Sequence, residues 1–420
     1  MAVGAFAEPL VVVVLLFGGA WVNRNKDYDL CVSAYVADKT HKRSDELLGG
    51  GDSNRRDSRE SQASWSGSST PTLAPHEVPT LRRRRIRFFG RERFVTTPNT
   101  LVFQDRFLSR VLEKFPFLAE AWYWALVYWI YQLGRAFTAL SLVEGTVHVA
   151  RQHALQLIHL EQRLNIFYEV PVQRWFLARP DLMHWINRVY SFIHIPGTIF
   201  FLVALYYLTT TGTRRAGADK VAAGPGLYEA RRRTMAMCNL VAFVVFTLWP
   251  CMPPRLLSDP DYQGDDAAEA KSYGFVDTVH GKDGESSVWT TNRFCNQYAA
   301  MPSLHFGYSL LIGLTVATLP ISGLRATSWK RMGIVMLGMS YPALILTAIV
   351  ATANHFILDA VAGAVVCGIA WHSNGLLLNL CVVEDYFLWL VRIHRPVNHA
   401  DPDTAVEPGL HAGLLLHESV

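Results

Sequence analysis

The chain has 420 residues, half of them hydrophobic and only 18% charged, with a formal net charge of +4. Soluble domains carry about a quarter charged residues, and here the charge is confined to stretches between long apolar runs. That pattern excludes an ordinary soluble core and gives no ground for a nucleic-acid partner; it fits a polytopic membrane protein. Six Cys with no CxxC pair exclude a zinc-finger-like arrangement.

Pro9–Val22 is the first apolar stretch. It lacks the preceding positive charge of a secretory signal, so residues 1–37 read either as a membrane anchor or as an amphipathic start. Residues 38–80 are rich in Ser, Gly and charge and have no apolar period. Together with the arginines that follow (Arg82, Arg83, Arg84, Arg85, Arg87, Arg91 and Arg93) they are expected to form a disordered cytoplasmic linker over 38–95. The arginines read as topology-setting charge or as a contact for anionic lipid. Leu101–Phe115 has helical spacing of apolar residues and is expected at the membrane surface.

Six strong apolar segments follow: Phe117–Ala139, Trp185–Leu208, Met235–Cys251, Ser303–Leu319, Met332–Val350 and His355–Gly375. Each is near the ~20 residues needed to cross hydrocarbon. The expected fold class is therefore an all-α polytopic membrane bundle with six core helices, spanning a domain at 96–395. The aromatic run Trp122–Tyr131 reads as an interfacial belt. Leu376–Val391 contains Glu384 and Asp385 and is expected as a surface helix, because carboxylates in lipid are costly. The tail, 396–420, is expected to be disordered.

Basic residues flank alternate spans: the Arg-rich stretch before the first, Arg214 to Arg233 between the second and third, and Arg325, Lys330 and Arg331 between the fourth and fifth. The acidic loop Leu256–Ala300 falls on the other face. The positive-inside rule then makes that acidic face luminal or extracellular. Cys251 and Cys295 flank this loop, either as a disulfide or as two free thiols. His148, His153 and His159 read as solvated loop or interface residues.

On that same face, polar residues meet the ends of three spans. The third ends at Pro253-Pro254-Arg255, the fourth opens with Met301-Pro302-Ser303-Leu304-His305, and the sixth opens with Asn354-His355-Phe356-Ile357-Leu358-Asp359. Asp359 is expected one helical turn from His355, where it would fix the imidazole tautomer and prepare the other nitrogen to attack. His305 is placed to protonate a leaving alcohol. Arg255 supplies a forked cation for phosphate, and Ser303 and Asn354 supply further phosphate-binding groups beside peptide N–H groups at a helix start. The expected reaction is two-step phosphoryl transfer with His355 as nucleophile, without metal or cofactor.

Pro-Ser-Leu-His at 302–305 and His-x-x-x-Asp at 355–359 resemble the second and third signatures of the type-2 phosphatidic acid phosphatase superfamily. Ala-Met-Pro-Ser-Leu-His, Ala-Thr-Ala-Asn-His, Pro-Pro-Arg-Leu-Leu, Gly-Phe-Val-Asp-Thr at 274–278, and the segment holding Glu161 and Glu169 resemble its inositol phosphorylceramide synthase-like branch. The resemblance implies a metal-independent phosphohistidine mechanism on a six-helix core. The first signature is absent, with Arg255 the nearest stand-in, and Ala348 and Ile349 occupy the places of a Ser-Arg pair. Fewer cations favour transfer of a phospho-headgroup or cleavage of a diester over hydrolysis of a monoester, with either water or a second lipid's hydroxyl as acceptor. The implied partners are membrane lipids, phospholipid and ceramide, and the implied setting is an endomembrane (Golgi or ER) or the plasma membrane. Other classes use the same residues differently: a two-His, one-carboxylate metal site at His305, His355 and Asp359, a transporter, or a non-catalytic scaffold.

Overall fold

The computed structural model describes residues 2–30, 79–88, 90–141, 145–212, 224–279 and 298–396. The expected disordered stretch up to residue 78, Cys295 and nearly all of the tail lie outside the described residues. In chain order the elements are α1 (Ala2–Val22), β1 (Leu81–Phe88), β2 (Arg91–Pro98), α2 (Phe107–Lys114), α3 (Phe117–Ser141), α4 (Gly145–Arg163) and α5 (Glu169–Leu177). Then follow α6 (Pro180–Thr211), α7 (Gly224–Leu248), α8 (Ala267–Ser272), α9 (Leu304–Thr318), α10 (Trp329–Ala351), α11 (Ile357–Ser373) and α12 (Cys381–Leu390). The chain forms two compact units, one comprising Met1–Arg24 and Phe117–Leu378, the other Asn25–Pro116 and Asn379–Val397.

Each of the six apolar segments read from the sequence falls on a helix of the larger unit. Three helical runs are long and apolar enough to cross a membrane: Pro180–Thr211, Trp329–Ala351 and Ile357–Leu390. Leu304–Thr318 and Pro9–Val22 are apolar but shorter. The chain is thus a mostly helical integral membrane protein. The helix at α7 starts well before the expected Met235 and takes in Arg231, Arg232 and Arg233. Arg232 is held by the buried Glu120 of α3 at 2.6 Å.

Small residues set how closely these helices approach. A Cβ on Gly313 of α9 would meet the Gly338 carbonyl of α10 at 2.7 Å, and the reverse holds at the same distance. Backbones pack in direct contact there, as lipid-embedded helices do when dispersion must substitute for hydrophobic drive. A central core of Phe117, Leu202, Leu205, Tyr206, Tyr228, Cys238, Leu311 and Val366 joins α3, α6, α7, α9 and α11. A second core caps one end, where Leu155, Leu157 and Ile158 of α4 pack with Met252, Leu257, Phe275 and Phe356.

The smaller unit corrects the linker reading. Residues 81–98 form an antiparallel hairpin in register from Leu81↔Pro98 to Phe88↔Arg91, turning at Gly90 with φ 76°. Side chains alternate along a strand, so Arg82 and Arg84 share one face. Both bind Asp385 of α12, with Arg84 Nε at 2.9 Å and Thr97 Oγ1 donating at 2.7 Å. Asp385 is fully buried. The surface-helix reading of Glu384 and Asp385 is refined accordingly: one carboxylate is buried and paired, and Glu384 bonds Arg395 at 2.9 Å.

Removing one partner of a buried ion network leaves charge uncompensated, at about 3–5 kcal/mol. Asp385→Ala should therefore loosen the hairpin and expose it to trypsin at Arg82 to Arg87 while wild type resists. Equal cleavage of both proteins would contradict a structural role for this carboxylate.

Candidate active site

The site is built around the turn between α10 and α11. Asn354 N–H and His355 N–H both donate to the Ile349 carbonyl, at 3.0 and 3.3 Å. Ala353 adopts φ 51°, a left-handed conformation that costs a non-glycine residue about 1–2 kcal/mol. Its carbonyl accepts from the Arg255 N–H at 2.9 Å, which ties the turn to the end of α7.

His355 lies in this turn, before the helix, and not on α11 as the sequence reading had it. Its Nδ1 is 2.8 Å from the Ala300 carbonyl. A carbonyl can only accept, so Nδ1 carries the hydrogen and Nε2 keeps its lone pair. Asp359 sits one turn into α11, its Oδ2 3.6 Å from the same Nδ1. That oxygen also accepts from the Phe356 N–H at 2.8 Å. The backbone carbonyl is thus the closer partner, and the fully buried Asp359 adds negative charge behind the ring.

Two further carboxyl groups close over the start of α11. Glu169 Oε1 accepts from the Ile357 N–H at 2.8 Å, and Glu161 Oε1 accepts from the Leu358 N–H at 2.7 Å. Three successive N–H groups that a helix start leaves unsatisfied are therefore taken by Asp359, Glu169 and Glu161. Both glutamates are fully buried. Burial, followed by the hydrogen bond and charge of Glu169, pushes the Glu161 carboxyl from 4.5 up to about 9; Glu169 is also raised, chiefly by burial. Burial and the neighbouring carboxyl thus favour the protonated form of Glu161 at neutral pH.

His305 comes from the first turn of α9. Its ring centroid is 5.5 Å from that of His355, and 4.8 Å from both Tyr190 and His194. The close approach of α9 to α11 depends on Gly363, where a Cβ would run into the Ser303 carbonyl. His194 follows a π-turn at Val189–Ile193, a local widening common at functional positions. Its Nδ1 lies 3.3 Å from the Tyr341 hydroxyl.

The remaining predicted residues converge on the same place with altered roles. Arg255 is buried; its Nε donates to Asn354 Oδ1 at 3.0 Å and its NH1 pairs with Asp277 at 2.8 Å. The segments Pro-Pro-Arg and Gly-Phe-Val-Asp-Thr, distant in sequence, thus meet in an ion pair. Asn354 turns its amide to Thr352 Oγ1 at 2.8 Å and its carbonyl oxygen to Arg255. Ser303 is the N-cap of α9: its hydroxyl accepts from the Phe306 N–H at 3.4 Å, and its own N–H donates to the Asp359 carbonyl at 2.9 Å. Its N–H is not free for an anion, as had been expected. Cys251 is a free, buried thiol. The histidines of α4 are not simply solvated, since His153 Nδ1 donates to the Pro250 carbonyl at 2.7 Å and His159 meets Glu269 at 2.6 Å.

A family model described as the PAP2 superfamily matches residues 155–372, just over half of the chain. The chain belongs to the PAP2 superfamily. Neither a curated protein nor a solved structure matches it. PAP2 membership points to a phosphatase or phosphotransferase of lipid phosphate esters. The matched span runs from α4 to α11 and includes Glu161, Glu169, Arg255, His305, His355 and Asp359. Among the described residues, no group of three or more His, Cys, Asp or Glu is arranged to hold a metal ion.

Sequence reasoning gave Tyr190 and His194 no role and named Glu161 and Glu169 only within the branch resemblance. An ionisable residue inside an apolar span is itself a signal, and His194 qualifies. The glutamates carried no such signal, since α4 and α5 are not apolar spans.

Two outcomes follow. Between about 4.5 and about 9 the folded protein keeps a proton on Glu161 that the unfolded chain releases, so stability falls as pH rises across that window. Glu161→Gln keeps the hydrogen bond from the Leu358 N–H and should flatten this slope in thermal unfolding; an unchanged slope contradicts the raised Glu161 carboxyl. Gly363→Ala forces α9 and α11 apart at a cost of about 1–3 kcal/mol and should lower turnover more than substrate binding. Full turnover in that variant would show that the spacing of the two imidazoles is not critical.

Proposed function

We propose that this PAP2 protein transfers a phospho-headgroup between lipids through a phosphohistidine on His355. The observation that carries the reading is the Nδ1 hydrogen bond to Ala300, which leaves Nε2 as a nucleophile 5.5 Å, ring to ring, from a second imidazole. Nε2 attacks phosphorus, the bond to the leaving alcohol breaks, and His305 gives that oxygen its proton. In the second step His305 takes the proton of an acceptor hydroxyl, whose oxygen attacks phosphorus and releases His355. Asp359 offsets the positive charge that the imidazole acquires when phosphorylated.

Arg255 supports transfer of a diester headgroup, of the inositol-phosphate type, over hydrolysis of a monoester. Its charge is shared with Asp277, and one partly neutralised cation suits a singly charged phosphodiester better than a doubly charged monoester. The acceptor in this reading is the hydroxyl of a second lipid such as ceramide. The six helical segments α3, α6, α7, α9, α10 and α11 then form the membrane core, with the site on the luminal or extracellular side, where the positive-inside rule puts the acidic loop. No step needs a metal.

The test is to incubate purified protein with phosphatidylinositol labelled at phosphorus, with and without ceramide. Wild type should acquire acid-labile, alkali-stable label, discharged into a new lipid when ceramide is added. His355→Ala should lose both label and product, and His305→Ala should slow turnover by roughly 10²–10⁴. Full activity in His355→Ala would end the mechanism, and labelled phosphate released from phosphatidic acid alone would restrict it to hydrolysis.

A further inference from the structure

An apolar groove of about 560 Å³ runs between α5 and α10, lined by residues that include Tyr168, Val172, Trp175, Phe176, Leu346 and Val350. Thr347 is the one hydroxyl on its aliphatic wall, and that hydroxyl is already bonded to the Ala343 carbonyl at 2.9 Å. The groove therefore offers no free polar group there and would select an aliphatic ligand. One wall is the last turns of α10, a helix long and apolar enough to cross a membrane, so the groove opens at the depth where lipid chains begin. Ile357, two residues from His355, also lines it. Trp175 and Tyr168 stand exposed at the other wall, as amphipathic aromatics do at a membrane interface.

We infer that this groove holds one aliphatic chain of the lipid whose phosphate reaches His355, an inference that rests on the lipid phosphotransfer reading. Its wall α5 also carries Glu169, which holds the Ile357 N–H at the start of α11. A chain seated against Val172 and Phe176 thus braces the same helix that clamps the catalytic turn. Binding energy from a part of the substrate remote from phosphorus is then expressed in turnover, not only in affinity. Shortening the chain should lower kcat as well as raise KM.

Two measurements test this. First, vesicles containing a phosphatidylcholine with a photoreactive group midway along one chain are irradiated with the full-length protein, and adducts are mapped. Adducts concentrated on 168–176 and 346–350 are expected. Adducts spread evenly over the exposed faces of α10 and α11, or cross-linked copies of the chain in their place, would overturn the groove as a chain site. Second, Thr347→Trp fills the groove from an exposed position. Against dipalmitoyl phosphatidylinositol it should lose at least about tenfold in kcat/KM, about 1.4 kcal/mol, while its lower activity on the dihexanoyl form stays equal to wild type. Equal loss on both substrates, or on neither, would contradict the assignment. Wild type inactive on both would instead defeat the phosphotransfer reading, and the adduct map would still decide the groove.

Discussion

The proposed chemistry rests on one hydrogen bond, from His355 Nδ1 to the Ala300 carbonyl. It fixes which nitrogen of the imidazole keeps its lone pair. The carbonyl is itself held in place. Ala300 N–H donates to the Cys251 carbonyl at 3.0 Å, and Cys251 N–H donates to Tyr298 at 2.8 Å. The strand-like pairing at Cys251 and Ala299 links the end of α7 to the approach to α9. The same short segment thus orients the His355 ring and leads into the helix that carries His305.

Around that bond the molecule gathers an unusual amount of buried charge. Asp359, Glu161 and Glu169 all face the first turn of α11. Three bare carboxylates there would repel one another strongly, and burial makes each ionisation more costly still. The raised Glu161 carboxyl lowers the charge while the N–H groups of Phe356, Ile357 and Leu358 stay satisfied. That bonding also leaves those three helix-start N–H groups with no free hydrogen for a further acceptor. Arg255 is tempered by Asp277, which keeps a buried guanidinium paired when the site is empty.

The sequence made much of this legible, for specific reasons. Long apolar runs marked α3, α6, α7, α9, α10 and α11 as helices. That His305, His355, Asp359 and Arg255 would meet was readable because polar residues at the ends of apolar runs stand out against their neighbours. The hairpin at 81–98 was hidden: six arginines between residues 82 and 91 look like solvated charge unless the buried acid that pairs with two of them, Asp385, is already known. Asn354 and Ser303 were assigned to phosphate from their residue type and their place at span ends. Their contacts with Arg255 and with the first turn of α9 were not readable, because local backbone geometry sets them. His355 was placed on a helix because His-x-x-x-Asp has helical spacing, yet a tight turn with Ala353 at positive φ brings the same two side chains together.

Solid-state NMR of the membrane-embedded protein labelled with ¹⁵N-histidine measures the decisive feature directly. With His355→Gln used to assign the signal, the resting imidazole should show a protonated Nδ1 in a strong hydrogen bond and an unprotonated Nε2. A protonated Nε2 with a bare Nδ1 would leave no nucleophile facing His305 and would contradict the account at its base.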